Sequence, residues 1–511
     1  MLSTILTHAF WVAQGGTGPE ADVFIGKALG ELFTDWGIGV SAANTLQGVF
    51  WWSHLSIILI FTVYIPFTKH MHMFAAPVNA YFRSLEPKGA LPFMDLENTE
   101  KFGAGRVQDF TWKQLLDTDS CTMCGRCTAV CPAHATGKPL DPREIVLKTG
   151  EVMAATGTPV VSPPIGTDDE ITVPANWMFD RITSDELWAC TTCRACDEIC
   201  PVNIEIMDKI LDMRRYLSLM ESDFPTELGS AYRSMENSGN PWGLSQSERA
   251  DWVGDLEGIQ VLDGGDPLES EYLYWVGCAG AYDPRNQGIA LSVVKILKAA
   301  KVDFAVLGKE ESCSGDSARR LGEEYLFETL VHENISTLSK YKFNTVITAC
   351  PHCFHTLSNE YPDFGGNYNV VHHSEFIQQL LDEGRLNPEK TLAKKVTYHD
   401  ACYLGRHNDI YDAPRNVLGA VLSDESDYIE LEQSKSSSFC CGAGGGNMWH
   451  EDNRGEMVNN VRMQQIIDSG AEQVVTACSF CMIMLDDAAK GMGKADDMAV
   501  QDIAEIIAER L

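Results

Sequence analysis

Residues 121–132 read CTMCGRCTAVCP, and residues 190–201 read CTTCRACDEICP. Both follow CxxCxxCxxxCP, in which three thiolates on a short loop grip three corners of an iron–sulfur cubane while the fourth reaches a neighbouring cluster. That rule predicts crossed sets. Cys121, Cys124, Cys127 and Cys200 are expected around one 4Fe–4S cluster, and Cys190, Cys193, Cys196 and Cys131 around another. Pro132 and Pro201 are expected to end the two loops. The stretch between the runs includes TGTPVVSPPIG, ahead of Asp168, and is longer than a compact ferredoxin needs. Helical periodicity over residues 204–220 points to helices around the clusters.

The chain has 17 cysteines in 511 residues, and all of them fall into four such groups. The third is Cys278, Cys313, Cys350 and Cys353; the fourth is Cys402, Cys440, Cys441, Cys478 and Cys481. A disulfide framework belongs to short secreted chains and does not suit this one. CxxC pairs also bind zinc, but two four-cysteine runs each closed by Cys-Pro are iron–sulfur spacing. A net charge of -33 argues against nucleic-acid binding, which relies on clustered Lys and Arg. No flavin or nicotinamide fingerprint is visible. A cysteine set used this completely points to an electron carrier with a protein or small redox molecule as partner.

The third and fourth groups sit in an internal repeat, seen by aligning TVITACPHCFHTL (345–357) with QVVTACSFCMIML (473–485). On that offset of 128, Cys313 aligns with Cys441, Cys350 with Cys478 and Cys353 with Cys481, and Cys278 precedes Cys402 by 124. Apolar runs ending at cysteines, YLYWVGC and TVITAC in one repeat and KVTYHDAC and QVVTAC in the other, predict strands that deliver ligands from their ends. Helical segments over 288–300 and 319–338 complete a small parallel sheet with crossover helices, whose strand ends form a crevice.

The first two runs resemble the helical ferredoxin found in the C-type subunit of heterodisulfide reductase and in the iron–sulfur subunits of succinate dehydrogenase. The repeated half resembles the CCG domain family, found in the B-type and D-type subunits of heterodisulfide reductase and in glycolate and lactate oxidation. The second repeat carries the whole pattern, including Cys440-Cys441-Gly442, and the resemblance implies a non-cubane 4Fe–4S cluster, with a catalytic role, at Cys402, Cys440, Cys441, Cys478 and Cys481. In the first repeat, residues 312–316 read SCSGD, and the alignment puts Ser312 where the pair's first cysteine belongs. Four thiolates remain, for an ordinary cubane, for a modified cluster near the Ser312 oxygen, or for none; a further cluster is the favoured expectation. His352, His355, His372, His373, His399 and His407 read mainly as supporting or core histidines. The GAGGG run at 442–446 is expected to allow close backbone approach to cluster sulfurs.

Residues 49–67, VFWWSHLSIILIFTVYIPF, lack Asp, Glu, Lys and Arg over a length that spans the hydrocarbon core, with Trp51, Trp52 and Tyr64 as interfacial anchors. Glu20, Asp22, Glu31 and Asp35 precede it and Lys69, Arg83 and Lys88 follow, so the positive-inside rule puts the cluster domains in the cytoplasm. His54 and His72 would stand roughly 27 Å apart on a continuous helix. That spacing resembles the last helix of nitrate reductase gamma-type cytochrome b, which implies haem b at both, with His70 competing for the inner position. Residues 1–14 are too short to span. The other haem ligands would therefore come from a cytochrome b-type membrane subunit, or from a longer fusion of which this is the C-terminal part.

The expected fold class is α/β plus helical: one transmembrane helix, a helical two-cluster ferredoxin and two tandem α/β CCG repeats. The expected domains are an anchor at 1–76, a linker at 77–110, the ferredoxin at 111–265, a degenerate repeat at 266–392 and a complete repeat at 393–511. This order resembles the membrane-linked oxidoreductases related to the D-type subunit of heterodisulfide reductase, of the electron-transfer-flavoprotein:menaquinone oxidoreductase type. The resemblance implies electron transfer between a reduced flavoprotein, or another donor protein, and the membrane quinone pool. Two other functions fit the same motifs: a heterodisulfide reductase, and an iron–sulfur relay subunit of a glycolate- or lactate-type dehydrogenase.

Overall fold

The computed structural model describes residues 2–17, 23–156, 177–254, 256, 258–262 and 270–511. Most of the Pro/Gly-rich stretch expected between the two cysteine runs lies outside the described residues. The chain divides into two units, Met1–Pro77 and Val78–Leu511.

In the N-terminal unit, helix Leu2–Ala13 packs against helices Phe24–Asp35 and Val40–Tyr64. Gly26 and Gly30, spaced as small-xxx-small, let two backbones approach: a Cβ on Gly30 would lie 2.7 Å from the Ala9 carbonyl oxygen. Phe10 stacks between Phe33 (4.7 Å) and Phe50 (5.5 Å). The apolar helix and the turn after it, Val40–Phe67, are long and apolar enough to cross a membrane by length and composition. The helix does not run on to His72. Pro66 sits in a 3-10 turn over Ile65–Phe67, a second turn covers Lys69–Met71, and His72 opens a separate helix, His72–Tyr81.

The larger unit begins with a helical layer, including Trp112–Ser120, Pro142–Thr156, Ile206–Tyr216 and Thr226–Ser238. The periodicity over 204–220 appears as Ile206–Tyr216 followed by a π turn, Leu217–Glu221. Two all-parallel sheets follow. The first orders β1 (Gln260–Val261), β3 (Phe304–Val306), β2 (Tyr272–Trp275), β4 (Thr345–Thr348) and β5 (Val370–His372) as β1-β3-β2-β4-β5. The second orders β7 (Tyr428–Ile429), β6 (Val396–Tyr398), β8 (Gln473–Thr476) and β9 (Ala499–Asp502) as β7-β6-β8-β9. Apart from β1 the orders coincide, as tandem copies require, and β3, β6 and β8 are buried along their whole length, as strands covered on both faces are. The crossover expected over 288–300 is helix Pro284–Ala299, and that over 319–338 is two helices, Asp316–Arg320 and Glu324–Leu338.

The segment expected as a linker is strapped to all three parts of this unit. Asn79 is buried and donates to Asp117 Oδ1 (2.9 Å) and to the carbonyls of Val202 (2.9 Å) and Asn203 (3.3 Å). Leu91 N–H donates to Glu360, Arg319 donates to the Leu91 carbonyl, and Lys88 pairs with Asp409 at 2.6 Å. Beneath it lies a buried ionic network of Arg215 with Glu324, and of Arg319 and Arg320 with Glu360.

Candidate metal centres

The crossed grouping expected from spacing is the spatial one. Cys121, Cys124, Cys127 and Cys200 line one small pocket, and Cys131, Cys190, Cys193 and Cys196 line a second. In each loop the residue two after the first cysteine is left-handed, Met123 at φ 55° and Thr192 at φ 48°, and a second left-handed residue follows, Gly125 at 77° and Arg194 at 62°. For non-glycine residues that conformation costs roughly 1–2 kcal/mol each. It turns the Met123 N–H onto Cys121 Sγ and the Thr192 N–H onto Cys190 Sγ, both at 3.4 Å. Pro132 does more than end its loop, because it opens a helical turn, Pro132–Ala135, capped by Cys131.

The same device builds the repeats. Gly315 (φ 89°) donates its N–H to Cys313 Sγ at 3.4 Å, and Gly442 (φ 97°) donates to Cys440 Sγ at 3.2 Å. This corrects the alignment drawn from sequence. Cys313 corresponds to Cys440, and the missing second cysteine of the pair is replaced by Ser314 rather than the first by Ser312. Ser314 Oγ donates to Cys353 Sγ at 3.4 Å, where in the second repeat Cys441 and Cys481 sulfurs meet at 3.3 Å. Ser312 faces elsewhere: a Cβ on Gly239 would lie 2.9 Å from its hydroxyl. The constant offset fails there because the repeats differ by one residue between the glycine and the last cysteine.

All the repeat cysteines follow strand ends. Cys278 comes after β2, Cys313 after β3, Cys350 and Cys353 after β4; Cys402 comes after β6, Cys440 and Cys441 after β7, Cys478 and Cys481 after β8. The crevice at the carboxyl ends of parallel strands is therefore sulfur-lined twice. Cys278, Cys313, Cys350 and Cys353 surround a pocket of the same size as the two ferredoxin pockets. Buried Arg249 reaches Cys278 Sγ (3.5 and 3.6 Å) and pairs with Glu311 (2.6 Å), which itself accepts from the N–H groups of Val276 and Gly277. In the second repeat, a ring nitrogen of His399 lies within 4.8 Å of the Cys441 and Cys481 sulfurs, and its Nδ1 accepts from Arg462 at 3.1 Å.

This donor set fits iron–sulfur clusters. Burial drives Cys127 and Cys190 up to about 11, so their thiolates would be costly without the positive charge that bound iron supplies. At Cys278 burial is outweighed by hydrogen bonds from Cys313 and by Arg249, which bring it down to about 7.

The ferredoxin and the second repeat meet at sulfur. Cys193 packs in one buried cluster with Cys402 and Cys440, together with Tyr403 and Phe439. The glycine run serves this junction rather than sulfurs of its own repeat alone: a Cβ on Gly444 would lie 2.3 Å from the Thr191 carbonyl oxygen, and one on Gly445 2.2 Å from that of Cys190. A buried ring column crosses the same place. Tyr403 stacks on His352 (3.8 Å) and on His407 (4.0 Å), and its hydroxyl meets Thr192 Oγ1 at 3.0 Å. His352 Nδ1 pairs with Asp316 (2.8 Å), and His407 Nε2 meets the Thr192 carbonyl (3.1 Å). His373 bridges His372 and Asp502 between the two repeats. Tyr403, Arg249 and Asn79 carry no motif, Thr192 is a variable position inside one, and nothing in their spacing singled them out.

The haem expectation loses its geometric basis. It required one helix through His54 and His72, and the chain breaks between them; His54 Nδ1 is bonded to Ser3 Oγ at 3.0 Å.

Tandem parallel sheets with sulfur-lined strand ends, joined to a two-site ferredoxin, define an iron–sulfur oxidoreductase. A cysteine-rich domain family matches residues 272–358 and 396–486, and a 4Fe-4S dicluster domain family matches 120–205. The chain is 40% identical to an EtfAB:quinone oxidoreductase of Syntrophomonas wolfei, over 92% of this chain and 69% of that protein. It is 40% identical to a probable membrane-anchored ferredoxin of Chromohalobacter salexigens, over 82% of this chain and 64% of that protein. It is 28% identical to the D-type subunit of the dihydromethanophenazine:CoB–CoM heterodisulfide reductase of Methanosarcina barkeri, over 79% of this chain and 97% of that protein. The chain belongs to the family of CCG-domain iron–sulfur oxidoreductases related to that heterodisulfide reductase component.

Proposed function

We propose that this chain passes electrons between a reduced soluble donor, an electron-transferring flavoprotein, and a quinone in the membrane. The carrying observation is the packing of Cys193 in one buried cluster with Cys402 and Cys440, which brings the second ferredoxin site against the second repeat; Arg406 Nε donates to the Cys193 carbonyl at 2.6 Å across the same junction. Tunnelling rates fall exponentially with distance, so adjacent thiol sites make a path. The name of the Syntrophomonas relative supports the choice of donor and acceptor. Bound clusters supply one-electron chemistry, while the protein sets their spacing and electrostatics.

In this reading Cys121, Cys124, Cys127 and Cys200 hold one 4Fe–4S cubane, and Cys131, Cys190, Cys193 and Cys196 hold the other. Cys402, Cys440, Cys441, Cys478 and Cys481 hold the non-cubane cluster at which catalysis occurs. Cys278, Cys313, Cys350 and Cys353 hold a further cluster, supported by a cavity equal in size to the ferredoxin pair and by a guanidinium already aimed at sulfur. The domain limits drawn from sequence and the cytoplasmic placement of the cluster domains belong to the same proposal. Haem and a cytochrome b-type subunit do not, because His54 and His72 give them no support.

The test uses the full chain in anaerobic menaquinone-containing proteoliposomes, supplied with reduced electron-transferring flavoprotein. Flavoprotein-dependent quinone reduction is the expected result. Reoxidation of the prereduced protein by CoB–CoM heterodisulfide, with no flavoprotein activity, would replace the proposal by a disulfide reductase. Inactivity with both would point to the relay subunit of a glycolate- or lactate-type dehydrogenase.

A further inference from the structure

The site of Cys121, Cys124, Cys127 and Cys200 differs from the other three in its exposure. Cys124 is the only exposed cysteine of the 17, and Met123 beside it is 51% exposed. The chain enters the larger unit beside this site. Asn79 is bonded to the carbonyls of Val202 and Asn203, just beyond Cys200, and to Asp117 midway along the helix that leads from Trp112 into Cys121. Directly after Asn79 comes an aromatic group that the fold leaves uncovered. Tyr81 is 81% exposed, Phe82 48% and Trp112 61%, yet their rings touch edge-on, at 4.9 Å for Tyr81 with Phe82 and 5.1 Å for Phe82 with Trp112. Leu85 and Arg83 are exposed alongside in sequence, and Arg126, also exposed, lines the Cys121 site.

Exposed aromatic clusters on a folded body mark an interaction surface. Trp and Tyr concentrate where an apolar ring body and a polar tip are both accommodated, at the headgroup level of a bilayer. Only the short segment from Thr68 to Ala80 separates this cluster from the apolar stretch Val40–Phe67. Arg83 and Arg126 suit the anionic headgroups of a cytoplasmic leaflet.

We propose that Tyr81, Phe82 and Trp112 seat the larger unit on the lipid–water interface, so that the Cys121 site is the one presented to the membrane. This deepens the quinone-linked reading and rests on it: the exposed Cys124 edge becomes the outlet, and the Cys190 site, covered by the second repeat, lies upstream. The seat is made of protein groups alone, so it can be tested without turnover.

The experiment places the full chain in vesicles of phosphatidylcholine and phosphatidylglycerol, with or without brominated acyl chains, and compares native protein with Trp112→Phe. Brominated lipid should quench native fluorescence by more than it quenches the variant. Equal fractional quenching would overturn the seat. As a second arm, Phe82→Glu with Trp112→Glu should leave iron content and dithionite-reduced spectra unchanged but slow quinone reduction roughly tenfold. An unchanged rate would also overturn the proposal, and would point instead to a protein covering this face. The two readings fail separately. Trp112-dependent quenching without flavoprotein-driven quinone reduction leaves the seat standing and removes the donor assignment, whereas quinone reduction without such quenching does the reverse.

Discussion

At the scale of single residues, the contrast between Ser314 and Cys441 separates two otherwise matching repeats. Each occupies the position between a sulfur-capping glycine N–H and the last cysteine of its repeat. Cys441→Ser therefore makes the second repeat resemble the first, and turnover should fall by at least the roughly hundredfold that loss of a mere supporting hydrogen bond can cost. The converse change, Ser314→Cys, should give the first repeat the spectroscopic signature of the second, read by Mössbauer spectroscopy on the iron-57 protein. Retention of the native signature in Ser314→Cys would mean that more than the fifth thiol distinguishes the sites. The pairing of Ser314 with Cys441 was not legible in the sequence, because Ser312 and Ser314 flank Cys313 symmetrically. The left-handed glycine decides between them, since it aims its N–H at the cysteine two positions earlier.

At the scale of elements, the loops matter more than the strands they follow. Strand ends deliver cysteines, as the apolar runs indicated, but their meeting depends on the glycine loop at 442–446 and on the strap beginning at Asn79. A methyl group in Gly444→Ala would press on the Thr191 carbonyl oxygen. Overpacking of that kind costs about 1–3 kcal/mol, visible as a lower melting temperature, and it should also slow electron exchange between the ferredoxin and the second repeat. Asn79→Ala removes the amide that satisfies the Val202 and Asn203 carbonyls and part of buried Asp117, which Lys209 and Lys113 also contact. The expected cost is again about 1–3 kcal/mol in thermal or chemical unfolding. An unchanged midpoint would show that the strap is dispensable for stability. The glycines were visible in the sequence, whereas their partner, the Cys190 loop, lies more than 200 residues away along the chain and is found only by packing.

Across the whole molecule, charge placement shapes the pH response. Glu360 is held down to about 2: burial pushes it up, but Arg319 and Arg320 outweigh that. Asp316 also lies at about 2, since His352 and Arg320 outweigh burial. A carboxyl depressed by folding contributes stability above its ordinary range, lost as pH falls towards the folded value. Asp208 behaves oppositely. Its partial burial, with the neighbouring Asp197, Glu205 and Asp212, raises it to about 7. Its protonated form is favoured by folding, so that contribution is present below about pH 4 and is lost as pH rises through 7. Asp208→Asn should therefore melt higher than the native protein at pH 8, with the difference vanishing near pH 4. A difference independent of pH would rule out this assignment. The sequence by itself determined the cysteine groups, the tandem repeat, the crossed ferredoxin sets and the apolar helix, because each is written in short-range spacing or local periodicity. Tertiary structure alone decided that Ser314 replaces the missing thiol, that Cys193 packs into one buried cluster with Cys440, that the strap carries the chain beside the Cys121 site, and that the helix stops short of His72. These depend on which surfaces pack together and where a backbone turns, and through-space contacts between distant segments leave no periodic trace in the chain.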